Sequence, residues 1–355
     1  MNDHWDVDRL IEEFVTALGV VADRVSMVKC EPSRGLVNSA VDVAIGSSNL
    51  RLLLEVKRSA YPRDVRDAVY RLRPLLRYDA DPVTLPVLIS DSISTAGREI
   101  LRQESIGYYD SGGSLFLRAS GVFVMIDKPI GKSAEKALAS AFVGRRALAL
   151  QAVWRNGSGA FGVKDIALRA HVSPATASET LTVLDRHDWV SSLGSGPSKV
   201  RRLVNPRAML DAWSEYQRAA KPPAIRRYFV PGSNAAETVD RLAKACREEG
   251  CLYAITGEAA AQVHAPYLSS ISQVLCRLRP GPAADMVLDQ IGARPVREGW
   301  NLGVLEASSD AEFAFAESVN GVCFASPLQT YLDLLQGGKR TREMAQHLRA
   351  ERLDN

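Results

Sequence analysis

The sequence predicts a multidomain α/β chain, and three observations carry that reading. The chain has 355 residues, more than one hydrophobic core usually spans. Two stretches, residues 6–126 and about 225–355, alternate helical and strand patterns, which is the mark of α/β units. Between them lies a mainly helical stretch with one glycine-rich hairpin. The expected organisation is an α/β unit over 1–128, a linker over 129–143, a helical unit with a hairpin over 144–220, and a second α/β unit over 225–355.

In the first unit, Val7, Leu10, Ile11, Phe14 and Leu18 recur at helical spacing and Gly19 ends the helix. Strand-type runs follow at Arg24–Lys29, Leu36–Ile45 and Leu50–Val56, the last two joined by the turn Gly46-Ser47-Ser48-Asn49. A helix is expected over 62–77, a strand over Pro86–Ser90 and a helix over Thr95–Glu104. Three short strands, Gly107–Tyr109, Leu115–Arg118 and Val122–Ile126, close the unit. The second boundary is Lys221-Pro222-Pro223, because consecutive prolines cannot continue a helix. Beyond it, a helix over Ala235–Glu248, a strand over Leu252–Thr256, a helix over Ala259–Val263 and a strand over Val274–Leu278 are legible. Pro327–Leu335 and Thr341–Arg352 read as helices.

Composition excludes several classes. Hydrophobic residues make up 46% and charged residues 24%, and the net charge is +3, so a nucleic-acid site must come from local clustering of Arg and Lys. The cysteines Cys30, Cys246, Cys251, Cys276 and Cys323 include no C-x-x-C pair, and the expectation is free thiols in a reducing cytosol. The polar, acidic N-terminus lacks a signal-peptide pattern, and no apolar run is long enough for a membrane span. A cytoplasmic protein is expected. Gly131-Lys132-Ser133 resembles the end of a P-loop, but Ile126 stands where the first glycine is needed.

Two constellations carry chemistry. In the first unit, Asp42 sits on one strand and Glu55 and Lys57 on the next, two residues apart and on one face. Two carboxylates with an ammonium alongside fit metal-dependent phosphodiester hydrolysis, with Asp42 and Glu55 as metal ligands. Glu12 or Glu13 on the first helix offers a further carboxylate. The bland alternative for Glu55 and Lys57 is a solvated ion pair. The order helix, hairpin with Asp, Glu-x-Lys, helix resembles the PD-(D/E)xK restriction-endonuclease-like fold. The resemblance implies metal ligation by Asp42 and Glu55, a catalytic Lys57 and Mg²⁺ as cofactor. The next helix carries Arg63, Arg66, Arg71 and Arg73, read either as a phosphate-binding surface or as a solvated helix paired to Asp64 and Asp67.

In the middle of the chain, a helix over 145–156 precedes Val163–Ala170, a turn at His171-Val172, and a helix opened by Ser173-Pro174, an N-cap followed by proline at N1. Ala177, Leu181 and Leu184 share one face and should pack inward. Ser173, Ala175, Thr176, Ser178, Glu179 and Thr182 lie on the side that can reach bases and phosphates. The following hairpin, LGSGPSKVRRLV, brings Lys199, Arg201 and Arg202. The pattern resembles MarR-like winged helix-turn-helix regulators, which implies double-stranded DNA as partner. Glu179 departs from that pattern, because an acid there repels phosphate. The other reading is a winged helix used for protein contacts or dimerisation.

In the last unit, TGEAAA follows a strand as in nucleotidyltransferase folds, but the next strand, SQVLCRL, lacks carboxylates; any such fold is degenerate and no nucleotidyl transfer is expected. With the tail PLQTYLDLL, residues Gly257, Ala259, Ala260, Pro327, Gln329, Tyr331, Asp333 and Leu334 make roughly 145–350 similar to the AbiEi family of type IV toxin–antitoxin antitoxins. That resemblance implies repression of its own operon and a nucleotidyltransferase-like toxin as counterpart; as a regulator reading an operator through its winged helix, the protein is expected to act as a homodimer. Three functions therefore stay open: a DNA-binding regulator on a nuclease-like scaffold, a Mg²⁺-dependent endonuclease targeted by its winged helix, and an antitoxin acting by protein contact.

Overall fold

The structure is a computed structural model that describes residues 6–28, 39–76, 83–119, 121–129, 138–232, 234–268 and 270–354. Cys30, the start of the expected strand Leu36–Ile45 and Gly131-Lys132-Ser133 lie outside the described residues. The chain forms two compact units, Met1–Ser140 with Thr182–Ser191, and Ala141–Leu181 with Ser192–Asn355. No helix among the described residues is long and apolar enough to cross a membrane.

The first unit opens with α1 (Val7–Leu18), capped by Asp6, whose carboxylate accepts from the Arg9 N–H at 3.1 Å. Its face Leu10, Ile11, Phe14 and Leu18 is buried, as the spacing requires. Strands β1 (Arg24–Val28), β2 (Ser39–Ile45) and β3 (Ser48–Ala60) run antiparallel in turn. Ile45 pairs with Ser48, so the loop between β2 and β3 is two residues, and Gly46 takes φ +57, the left-handed value such hairpins need. Helix α2 (Pro62–Leu72) crosses over to β4 (Val83–Ile93), parallel to β3, and α3 (Thr95–Gln103) crosses to β5 (Gly107–Asp110), parallel to β4. Strands β6 (Leu115–Ala119) and β7 (Val122–Ile126) extend the sheet antiparallel, in the order β1 to β7. The α1 side of the sheet buries Leu50, Leu52, Leu54, Val87 and Ile89; the other side packs Leu88, Tyr108 and Phe116 under Val65, Leu72 and Leu101 of α2 and α3.

Strands β3 and β4 outrun the expected Leu50–Val56 and Pro86–Ser90. Their parallel ladder continues to Ala60 opposite Ile93, because paired backbone groups sustain a strand past the end of its apolar run. The expected helix over 62–77 stops at Leu72 and tightens into a 3₁₀ turn, Arg73–Leu75, where Pro74 has no N–H to give.

In chain order, α4 (Gly144–Asn156), α5 (Val163–Arg169) and α6 (Pro174–Arg186) precede β8 (Val190–Leu193) and β9 (Val200–Leu203), which form a two-stranded sheet, and α7 (Pro206–Ala219) follows. Trp213 of α7 is fully buried and stacks on Phe142 at 5.7 Å. The rest of the second unit is β10 (Arg226–Phe229), α8 (Ala235–Glu248), β11 (Tyr253–Thr256), α9 (Gly257–His264), β12 (Val274–Leu278), α10 (Pro282–Gln290), β13 (Arg294–Pro295), β14 (Leu302–Glu306), β15 (Glu317–Val319), β16 (Val322–Phe324), α11 (Pro327–Leu335) and α12 (Lys339–Arg352). Its sheet has the order β13-β10-β14-β12-β11-β16-β15. Helices α8 and α10 supply Leu242, Cys246, Val287 and Leu288 to the core on this sheet, and α9, α11 and α12 pack together. Strands β10 and β13 to β16 and helix α10 have no counterpart in the sequence reading. Most of these strands run two to four residues, too short to display alternation.

In the first unit, the His187 ring lies edge-on to Tyr61 at 5.3 Å and stacks on Trp189 at 4.9 Å. Burial, together with the Arg186 charge, pushes its pKa down to about 4. The fold therefore holds this ring neutral, while the unfolded chain takes up a proton below about pH 6.5. Stability contributed by the neutral ring is complete above pH 6.5 and is lost as pH falls toward 4. We expect wild type to lose about 1–2 kcal/mol on going from pH 7 to pH 5 relative to a His187→Gln variant, read as the difference in urea-unfolding free energy.

Candidate nucleic-acid interface

Helix α6 begins as its sequence requires. The Ser173 hydroxyl accepts from the Thr176 N–H at 3.1 Å, which satisfies one of the donors left open at a helix start. His171 supplies the left-handed turn before it, with φ 51. Ala177, Leu181 and Leu184 are fully buried, and so is Thr180, whose hydroxyl donates to the Thr176 carbonyl at 2.8 Å. Ser173, Ala175, Ser178, Glu179 and Thr182 are exposed and Thr176 is half-buried. The helix thus presents a polar, small-residue face over its first turns. Glu179, the acid that departs from the expected pattern, accepts from Arg146 of α4 at 2.5 Å. That neutralises its charge locally, through a partner 33 positions away that sequence spacing could not reveal.

The hairpin after α6 carries its cations unequally. Lys199 is half-buried and Arg202 exposed, whereas Arg201 is only 6% exposed. Arg201 also anchors the hairpin to Phe161, since each backbone N–H donates to the other's carbonyl, at 2.8 and 2.9 Å. Alternation along β9 puts Arg201 and Leu203 inward and Arg202 outward. Arg201 therefore leaves the set of expected DNA contacts and becomes part of the core beneath the hairpin.

The constellation Asp42, Glu55 and Lys57 does not converge. Asp42 lies opposite Arg51 in the β2–β3 register, and the pair is bidentate, with both N–O distances 2.8 Å. The Arg51 hydrogen bonds hold the Asp42 carboxyl below its ordinary pKa. Glu55 is four residues further along β3, about 13 Å at strand rise. A Mg²⁺ bound about 2.1 Å from each oxygen cannot bridge that gap. Glu55 instead pairs with Arg71 of α2 and approaches Lys57 at 4.0 Å, and one of its oxygens is buried without a hydrogen-bond partner. Glu13 is held by Arg9 and Ser111, and Glu12 is exposed; both belong to α1, on the opposite side of the sheet from α2. Among the described residues, no three His, Cys, Asp or Glu side chains group as a metal site. The two strands carry the expected residues in a register that sets Asp42 and Glu55 apart, each against its own arginine.

The arginines of α2 and of the 3₁₀ turn after it are also engaged. Arg63 faces Asp185 at 3.6 Å, Arg66 faces Asp188 at 3.5 Å and Arg73 faces Glu104 at 3.4 Å, while Arg71 binds Glu55. These carboxylates lie farther off in the chain than the neighbouring Asp64 and Asp67.

In the last part of the chain, the turn from β11 into α9 passes through Gly257 at φ +63. The next strand offers Arg277 where a catalytic carboxylate would stand. Arg277 binds Asp333 of α11 through Nη2 at 2.6 Å and Nε at 3.3 Å, and Glu312 at 3.2 Å. Burial works against its charge, but Asp333 and Glu312 outweigh that and raise its pKa. Thr256 donates to Asp333 at 2.6 Å. Asp333 and Glu312 are thus both occupied by an internal cation.

Arg201 and Arg202 separate structural from surface roles. We expect Arg201→Ala to lower unfolding free energy by about 2 kcal/mol, as for removal of a buried charged group, and Arg202→Ala to change it by less than about 0.5 kcal/mol. Chemical denaturation of both variants checks this, and equal losses would refute it.

Residues 202–354 match the family model described as transcriptional regulator, AbiEi antitoxin, type IV TA system. No curated protein and no solved structure matches the chain. The matched range begins at β9, later than the 145 expected from the resemblance, so α4 to α6 fall outside it. From β9 to the end of α12, the chain is similar to the AbiEi antitoxins, transcriptional regulators of type IV toxin–antitoxin systems.

Proposed function

We propose that the protein is a DNA-binding regulator of AbiEi type, in which α5, α6 and the β8–β9 hairpin act as a winged helix-turn-helix on duplex DNA. The observation that carries this reading is the outer face of α6: Ala175, Ser178, Glu179 and Thr182 are exposed above a fully buried Ala177, Leu181 and Leu184. Small hydroxyl-bearing residues at the start of such a helix reach base edges and phosphates. With Arg146 against Glu179, the helix approaches phosphate without an uncompensated acid. Charge placement supports the same reading. Residues 199–227 contain eight basic and two acidic residues, a surplus of six against +3 for the whole chain. The excess positive charge therefore sits in the hairpin, α7 and β10, where it favours a polyanion.

The match of residues 202–354 to the AbiEi antitoxin model supports a role as the antitoxin that counters a toxin. We propose that it represses its own operon, as a homodimer in the cytoplasm, and that the counterpart is a nucleotidyltransferase-like enzyme. The first unit then serves as a scaffold without metal-dependent cleavage, since its carboxylates stand apart.

The salt dependence of DNA binding tests the hairpin. For a duplex from upstream of its own gene, the double variant Lys199→Ala, Arg202→Ala should flatten the plot of log affinity against log salt by about 2, one unit per lost phosphate contact. Fluorescence anisotropy across a salt series measures it. A slope equal to wild type would take the hairpin out of the interface, and no binding by wild type at all would end the DNA-binding reading.

A further inference from the structure

Gln151 lies on α4 and is 7% exposed. Its amide Nε2 donates to Gln329 Oε1 on α11 at 2.8 Å. Gln329 Nε2 in turn donates to Asp333 Oδ1 at 2.8 Å. The same Oδ1 takes Arg277 Nη2 at 2.6 Å, while Oδ2 takes Thr256 Oγ1 at 2.6 Å. Two strands of the sheet, β11 and β12, therefore clamp the Asp333 carboxylate, whose side chain is 5% exposed.

A clamped carboxylate accepts only, so it fixes which end of the Gln329 amide turns toward it. The NH₂ faces Asp333, and the carbonyl oxygen is left for Gln151. Flipping Gln329 would set oxygen against carboxylate and NH₂ against NH₂. One orientation is thus transmitted from the sheet to α4. Five residues before Gln151 on the same helix, Arg146 holds Glu179 of α6. The line runs from β11 and β12, through α11 and α4, to the exposed face of α6.

The arrangement is not needed for stability as such. A buried ion pair replaced by well-packed apolar residues is often neutral, and removing both members of a buried hydrogen bond can be nearly neutral too. What the polar set provides is a single seating of α4. We infer that Gln151, Gln329 and Asp333 are positioning residues that hold the DNA-reading helices in register with the C-terminal sheet. The inference rests on the DNA-binding reading above.

The test uses the full chain and a fluorescein-labelled duplex carrying the sequence upstream of its own gene. Three variants are compared: Asp333→Asn, Gln151→Leu, and the double Gln151→Leu, Gln329→Leu. The double variant should melt close to wild type yet bind the duplex about tenfold more weakly, within the usual range of coupling between sites. Its salt slope should match wild type, since no phosphate contact is removed. Asp333→Asn should lose affinity and melting temperature together, because it leaves the buried Arg277 without its main partner, and Gln151→Leu should also lose both, because it strands the Gln329 carbonyl. Wild-type affinity in a double variant of wild-type melting temperature overturns the relay. Amide exchange over residues 144–156 gives a readout without DNA. Faster exchange in the double variant, at unchanged melting temperature, supports the relay, and unchanged exchange overturns it. If wild type does not bind the duplex, the DNA-binding reading fails and exchange alone decides the relay.

Discussion

The Arg277–Asp333 ion pair organises the second unit. Both side chains sit largely out of water, and each would be costly to bury alone. They are tolerable because each has further partners: Thr256 and Gln329 donate to Asp333, and Arg277 donates to Glu312. Satisfying this one pair draws in β11, β12, α11 and the 3₁₀ turn carrying Glu312. Through Gln329 it extends to α4. A second polar tie, Ser214 of α7 to the Tyr331 hydroxyl at 2.8 Å, binds α7 to the same helix α11. The apolar core between α8, α10 and the sheet supplies bulk stability, while these few polar links select one arrangement of helices.

The same logic explains why the first unit resembles a metal-dependent enzyme in sequence but not in its side chains. Asp42, Glu55 and Lys57 do share one face of neighbouring strands. The two-residue turn at Gly46-Ser47 sets the β2–β3 register and matches Asp42 with Arg51. Each carboxylate then acquires its own guanidinium, Arg51 for Asp42 and Arg71 for Glu55. The charges of both carboxylates are thus balanced by arginines within the protein.

Charge in the interface region follows a different pattern. Arg201, with two neighbouring cations in the sequence, looks like a DNA contact, but strand alternation turns it inward and leaves Arg202 outward. Glu179 looks like an obstacle, but Arg146 answers it. In both cases a residue's charge was visible in the sequence, and its use was decided by what the fold put beside it.

By itself, the sequence determined the elements whose signals are local. The buried faces of α1 and α6, the Ser173 cap, the β2–β3 hairpin and the proline starts of α2 and α11 all rest on neighbours a few residues apart. Tertiary structure decided what depends on residues far apart in the chain. The short strands β13, β15 and β16 exist because a sheet offers them partners, not because their own residues alternate. The separation of Asp42 from Glu55 is a matter of register. The link from Asp333 to Gln151 spans most of the second unit. Hydrogen bonds and ion pairs act over about 3 Å, and only the folded chain brings such groups that close.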